Sequence, residues 1–309
     1  MDGIFAINKA TGMTSHDVVA RVRRLAHQKR VGHAGTLDPA ADGVLPVCLG
    51  HATRIVEYLS ERGKAYRATI RFGLVTDTYD TEGQVIRQAP VALTREEIAA
   101  VLPDFLGAQQ QVPPIYSAIK VGGRKLYELA RAGESVTPEP RTVRIDALTI
   151  VRWQSPDLVL DVECGKGTYI RSLAYDLGEQ LGPGAHLAAL TRTRSGPFTL
   201  AQSLTLEALE AALADGTWRD HLFAADEALL GWRAAILGTA SETRMRNGQL
   251  LRFAEDVGAT PANGDDSLAD GTLLRAYTVD GRFLGILRWQ HDGAAWQPHK
   301  VLQLTPDDA

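Results

Sequence analysis

Residues 32–47 read Gly32-His33-Ala34-Gly35-Thr36-Leu37-Asp38-Pro39-Ala40-Ala41-Asp42-Gly43-Val44-Leu45-Pro46-Val47, with turn-forming residues gathered around Asp38 before an apolar run. Pro39 biases Asp38 away from the α region. Gly32, Gly35 and Gly43 permit close approach of another backbone or a ligand. A carboxylate held on such a loop suits nucleophilic or general-base chemistry. Asp-Pro is also a common structural turn, so the loop taken alone leaves both readings open.

Other catalytic frameworks fail. Gly165-Lys166-Gly167-Thr168 has a P-loop ending without the required G-x-x-x-x-G-K-[ST] frame. There is no G-x-G-x-x-G after the first apolar run, no H-E-x-x-H and no G-x-S-x-G. Cys48 and His51 have C-x-x-H spacing but no second pair nearby, so they read as ordinary residues and not as a zinc site. Neither a metal nor a redox cofactor is expected.

The elements that position Asp38 follow from periodicity. Asp2 to Asn8 reads as a short strand. Thr14 and Asp17 have capping-box spacing before the helical stripe Val18, Val19, Val22 and Leu25. Tyr66, Ala68, Ile70 and Phe72 alternate with Arg67, Thr69 and Arg71, which predicts a half-buried strand. Thr94 and Glu97 repeat the capping-box spacing. Leu126, Leu129 and Ala130 mark a helix that Gly133 ends. Val143, Ile145 and Ala147, then Leu158, Leu160, Val162 and Cys164, alternate as paired strands. Ile170, Leu173, Ala174, Leu177 and Leu181 form a helical stripe closed by Gly182. Strands and helices interleave without a strict βαβ rhythm, so the expected class is α+β with a mixed, largely antiparallel sheet. After a helix around residues 204–213 the texture changes near residue 230. Two strand-like runs at 273–279 and 283–289 flank the hairpin signal Asp280-Gly281, and 263–266 reads as a polar loop. A small all-β domain of 231–309 is expected after a catalytic domain of 1–230.

The chain has 309 residues, a formal charge of −4 and two cysteines. Two cysteines make no disulfide framework, which fits a reducing cytoplasm. The N-terminus lacks signal-peptide shape, and no apolar run is long enough to span a membrane. The acidic total argues at first against a nucleic-acid partner. Its distribution argues otherwise: residues 1–71 carry net +5, 72–200 carry −2 and 201–309 carry −7. Lys9, Arg21, Arg23, Arg24, Lys29 and Arg30 lie in sequence beside the Asp38 loop, placed for phosphate contact.

The loop from Gly32 to Pro39 resembles the signature loop of the TruB family of pseudouridine synthases. Five further segments resemble family motifs in the same order: Lys9-Ala10-Thr11-Gly12-Met13-Thr14-Ser15, Lys64-Ala65-Tyr66-Arg67, residues 111–120, residues 165–173 and residues 184–194. The resemblance covers nearly all of residues 3–200. It implies the pseudouridine synthase fold with a catalytic cleft, an RNA-binding insertion at about 110–145, and a small C-terminal PUA-like β-barrel. The barrel is implied more weakly, by residues 246–249, 280–285 and 298–301.

The resemblance further implies isomerisation of the T-loop uridine of tRNA, position 55, by a monomer that needs no cofactor and no protein partner. By matching positions, Asp38 is the nucleophile and Arg171 its cationic partner. Tyr66 stacks on the uracil and relays its carbon-bound proton. Tyr169 and Leu190 line the uracil pocket, His33 contacts the RNA, and Lys9 and Arg192 bind substrate. Two positions depart from the family pattern. Ala10 follows Lys9 where the family usually has proline. Thr191 stands where it often has arginine, leaving a phosphate contact to Arg192 or Arg194. Two alternatives stand beside this reading: an RNA-guided synthase of archaeal or eukaryotic type, and a tRNA-folding chaperone or binding module with secondary catalysis.

Overall fold

The computed structural model describes residues 1–117, 119–126, 129, 132, 138–252 and 269–302. The expected helix over Leu126 to Ala130, the polar loop 263–266 and the RNA-binding insertion at about 110–145 fall wholly or partly outside these residues.

The N-terminal half begins with β1 (Gly3–Lys9), α1 (Ser15–Leu25), β2 (Val31–His33) and β3 (Asp42–Leu49). It continues through α2 (Val56–Glu61), β4 (Lys64–Phe72), the hairpin β5 (Leu74–Thr76) and β6 (Val85–Gln88), and α3 (Arg95–Val101). Then follow β7 (Gly107–Gln111), the small hairpin β8 (Lys120–Val121) and β9 (Arg124–Lys125), and the long pair β10 (Arg141–Gln154) and β11 (Asp157–Cys164). Next come α4 (Ile170–Leu181), β12 (Ala185–Ser195), β13 (Phe198–Thr199), α5 (Leu206–Asp215) and β14 (Leu222–Phe223).

Ten of these strands form one sheet in the order β14-β1-β3-β12-β4-β11-β10-β7, with β2 on β3 and β13 on β12. Only the β3–β12 pairing is parallel, so the sheet is mixed and largely antiparallel, as expected. The chain makes that parallel contact at Gly43, opposite Arg192. Gly43 has φ +101°, and a Cβ there would lie 2.3 Å from the Arg192 carbonyl oxygen, so glycine is required for the two strands to meet.

Strand β4 sits at the centre. Tyr66, Ala68, Ile70 and Phe72 are buried, while Arg67 and Arg71 face outward. Each arginine grips the aspartate directly opposite on β11: Arg67 holds Asp161 through two 2.8 Å bonds, and Arg71 holds Asp157 at 2.7 and 2.8 Å. Both capping boxes predicted from sequence are formed, at Thr14 and Asp17 of α1 and at Thr94 and Glu97 of α3. Helix α4 buries Ile170, Leu173, Ala174 and Leu177 against the sheet and ends at Gly182. Val18, Val22, Leu45, Ile70, Leu173 and Leu177 belong to the same core cluster.

The C-terminal part contains β15 (Ala234–Leu237), α6 (Thr239–Arg246), β16 (Leu251–Arg252), β17 (Leu273–Thr278), β18 (Phe283–Gln290) and β19 (Ala295–Val301). The strands make one sheet, β15-β17-β18-β19-β16. The Asp280-Gly281 hairpin forms as predicted, with the Gly281 amide donating to the Thr278 carbonyl at 3.0 Å. The expectation of an all-β segment is corrected by α6, whose polar sequence shows little helical stripe. This sheet is seated on the first by a shared apolar cluster that joins Ile55, Leu59 and Phe198 to Phe283, Ile286 and Leu302.

Candidate active site

The sheet, α4 and the loop after β2 enclose a cavity of about 280 Å³ whose lining includes Asp38, Tyr66, Tyr169, Arg171 and Leu190. Five residues expected to act together are thus brought to one place. A larger cavity of about 560 Å³ lies between the two sheets, lined by Trp218, Phe223, Tyr277 and Phe283. Among the described residues, neither Asp2 nor Asp226 of this cavity ion-pairs with its Arg219 or Arg282, whereas Asp38 pairs with Arg171 in the smaller one, so the smaller one is the candidate site.

The Asp38 loop is braced from three sides. The Ser15 hydroxyl accepts from the Leu37 amide at 2.9 Å and donates to the Leu37 carbonyl at 3.1 Å. Lys9 Nζ donates to the carbonyls of Ala10 and Met13 at 2.9 Å and of Pro39 at 3.4 Å. Arg192 donates to Val44, Gly35 and Thr36 carbonyls at 2.7, 3.0 and 3.3 Å. Lys9 and Arg192 are fully buried. This corrects the expectation that these two are phosphate contacts: their charges are spent on backbone oxygens inside the protein. Burial lowers the Lys9 pKa, partly opposed by Asp42 and Asp38. Arg194, the other residue expected to replace the missing arginine, pairs with Glu163 at 2.8 Å.

Arg171 opens α4 and is only 7% exposed, whereas the Asp38 side chain is 46% exposed toward the cavity. Their closest approach is 2.9 Å. The other side of the guanidinium faces Asp80, at 3.4 Å. Arg171 also donates to the Tyr116 carbonyl at 3.0 Å and the Thr78 carbonyl at 3.5 Å. Asp80 was not foreseen. Its signal was faint: an acidic residue in the polar run 77–83 after an apolar strand, with no fixed spacing to Arg171.

Tyr66 is 8% exposed, and burial pushes its phenol pKa up, as it does for Tyr169. Both hydroxyls therefore stay protonated at neutral pH. Gln111 fixes Tyr169 by accepting from its amide at 2.8 Å and donating to its carbonyl at 2.9 Å. Ser172 donates to the Val112 carbonyl at 2.7 Å, so the stretch after β7 is sewn to the start of α4. His33 stands on β2 outside the cavity lining, with its ring edge-on to His16 at 5.5 Å and its Nδ1 without a hydrogen-bond partner among the described residues. Burial, with the charges of His16 and Arg192, holds its pKa below the usual imidazole value. Of the basic run near Asp38, Arg21 pairs with Glu210 and Arg23 donates to the Val31 carbonyl at 3.3 Å. Among the described residues no group of three His, Cys, Asp or Glu is placed to hold a metal, and no helix is long and apolar enough to cross a membrane.

Residues 23–170 match the model of the TruB family pseudouridylate synthase N-terminal domain, and residues 171–230 match that of the tRNA pseudouridylate synthase B C-terminal domain. A tRNA pseudouridine synthase B from Burkholderia mallei (strain NCTC 10247) is 44% identical over 289 residues, 93% of either chain. The chain belongs to the TruB family of pseudouridylate synthases. A second relative with the same printed name, from Dehalococcoides mccartyi (strain CBDB1), is 44% identical over 97% of this chain and 96% of its own. Among solved structures, an H/ACA RNP bound to a substrate RNA containing 2′-deoxyuridine superposes with TM-score 0.74. It covers 98% of this chain and 85% of that one at 24% identity, a likeness of fold alone. The archaeal box H/ACA sRNP Nop10-Cbf5 complex gives TM-score 0.72 at 25% identity over 97% and 85% of the two chains. The chain thus has the pseudouridine synthase fold, and as a TruB family member it is a pseudouridine synthase.

Proposed function

We propose that the protein isomerises the uridine at position 55 in the T-loop of tRNA to pseudouridine, acting as a cytoplasmic monomer without a cofactor or protein partner. The observation that carries this reading is the Asp38–Arg171 pair opening into a cavity walled by Tyr66, Tyr169 and Leu190. Relatives at 44% identity named as tRNA pseudouridine synthases favour it over the RNA-guided type, whose structures reach about 25%.

The reaction detaches uracil from C1′, rotates it, and rejoins it through its carbon C5, which then loses a proton. The target base is first extruded from the folded loop, at a cost of a few kcal/mol. Uracil stacks on Tyr66, with Tyr169 and Leu190 enclosing it. Asp38 supplies the carboxylate that starts bond breaking, and Tyr66 relays the C5 proton. Arg171 acts through Asp38: its guanidinium, 2.9 Å away, aims the carboxylate at the substrate. Asp80 holds the far side of that guanidinium. His33, on β2 outside the cavity lining, contacts the RNA and helps hold the flipped-out nucleotide. The insertion at about 110–145 binds the RNA, and residues 231–309 are a PUA-like domain after a catalytic domain of 1–230.

The test is incubation of the full chain with an unmodified tRNA transcript, followed by pseudouridine mapping. One T-loop site is expected with no additive, and Asp38→Asn abolishes turnover while leaving tRNA binding. Turnover that survives Asp38→Asn removes Asp38 from its role; pseudouridine elsewhere overturns the site assignment.

A further inference from the structure

Four cations line the candidate cavity: Lys64, Lys166, Arg171 and Arg192. Three are already committed. Arg171 lies between Asp38 and Asp80, exposed Lys166 pairs with Glu61, and buried Arg192 is closed by three carbonyls. Lys64 differs. It is 8% exposed, and its Nζ donates to the Ser60 and Arg62 carbonyls at 2.9 Å each. An ammonium carries three hydrogens. Among the described residues no carboxylate makes an ion pair with Lys64. A buried charge with no counter-charge is costly. A binding site keeps one where the ligand brings the opposite sign.

We infer that Lys64 binds the RNA backbone, its ammonium donating to a phosphodiester oxygen next to the target uridine. The placement fits. Lys64 precedes Tyr66 by two residues on β4 and shares its face, an offset of about 6.6 Å along the strand. That is about the reach from a stacked base to its own phosphate. Lys64 Cε borders Gly35 of the Asp38 loop: a Cβ on that glycine would lie 3.4 Å from it. Ser60 and Thr168 line the same cavity.

The charge state of Lys64 agrees. Burial lowers its pKa to about 8, and the cations Arg192 and Lys166 push the same way. Cys164 on β11 and Glu61 at the end of α2 oppose them. A bound phosphodiester would favour the charged form.

This inference rests on the cavity being the seat of a flipped T-loop uridine. The test uses T-arm RNAs in which an uncharged methylphosphonate replaces the phosphate on either side of that uridine. Half-saturation is read from single-turnover reactions with the full chain. For the wild type, one of the two replacements weakens binding roughly tenfold, as loss of a charge-assisted bond does. Lys64→Met weakens binding of unmodified RNA to a similar extent, lowers the salt slope by about one contact, and loses nothing more on the replaced RNA. Lys64→Arg retains most of the affinity. Equal losses in Lys64→Met and wild type on both replaced RNAs overturn the inference. Should Lys64→Met fail to fold, the wild type still decides: affinity for ordinary RNA falls as pH rises through about 8, and the critical methylphosphonate removes that fall. A pH dependence identical with all three RNAs overturns it. Absence of pseudouridine at the T-loop site with wild type and ordinary RNA refutes the functional reading instead.

Discussion

Arg171→Lys separates charge from geometry at the heart of the site. The guanidinium reaches Asp38 at 2.9 Å, Asp80 at 3.4 Å, and the carbonyls of Tyr116 and Thr78 at 3.0 and 3.5 Å. A lysine keeps the charge but presents a single point on a shorter arm, so it cannot hold carboxylates on two sides. One charge-assisted bond and one carbonyl bond are lost. At about 1.5–3 kcal/mol for the first and about 0.5–1.5 kcal/mol for the second, the total is about 2–4.5 kcal/mol. If that loss falls mainly on aiming Asp38, kcat drops roughly 30- to 2,000-fold, at about 1.36 kcal/mol per tenfold. KM should move little, because the cavity walls stay in place. The assay is release of tritium from C5-labelled uridine in tRNA, since C5 loses its hydrogen on forming pseudouridine. Part of the loss also appears in folding, and Tm falls by a few degrees. Adding Asp80→Asn should cost less than the sum of the two single changes, because both act on one contact network. A kcat within threefold of wild type, with binding intact, would refute the idea that Arg171 aims Asp38.

Two further outcomes follow from other parts of the molecule. Lys9→Met removes three hydrogen bonds, one to Pro39 of the Asp38 loop and two to the 10–13 turn beside it, so kcat and Tm fall together. The salt slope of RNA binding stays unchanged, since Lys9 is buried and bears no phosphate, and filter binding across a salt series checks this. Asp176 has its pKa raised to about 6, by burial first and Glu179 second. A folded-state value above the unfolded one means stability from this group is fully present below about pH 4 and lost as pH rises through about 6. Asp176→Asn should therefore melt higher than wild type at pH 7–8 and lose that advantage near pH 4, read from Tm against pH.

The parts legible in sequence were those governed by local rules. The Thr14 and Thr94 capping boxes, the alternation in β4 and the stripe of α4 depend on spacings of two to four residues, and each formed as read. The line-up of Asp38, Tyr66, Tyr169, Arg171 and Leu190 around one cavity followed from family motifs and not from local pattern. What escaped was set by partners far along the chain. Lys9 and Arg192 look like surface cations in sequence, and nothing local says that their acceptors are carbonyls of the Asp38 loop. Asp80 meets Arg171 across a separation of 91 positions, through a turn whose composition is that of any loop. Helix α6 is polar on most of its faces and offers no apolar stripe to read.

The Asp38–Arg171 contact has a consequence for how the enzyme is made and lost. Its partners stand 133 residues apart, and the guanidinium is also tied to segments near residues 78–80 and 116. No stretch of chain ending before α4 can assemble the pair, so a nascent or truncated chain that has folded its early strands is still inert. Contacts of such long span form late and slowly. The same dependence runs in reverse. Any partial opening that frees one of the three segments dissolves the pair before the central strands melt. Turnover thereby reports the integrity of the whole catalytic sheet, and heat or denaturant should silence the enzyme ahead of its main unfolding transition.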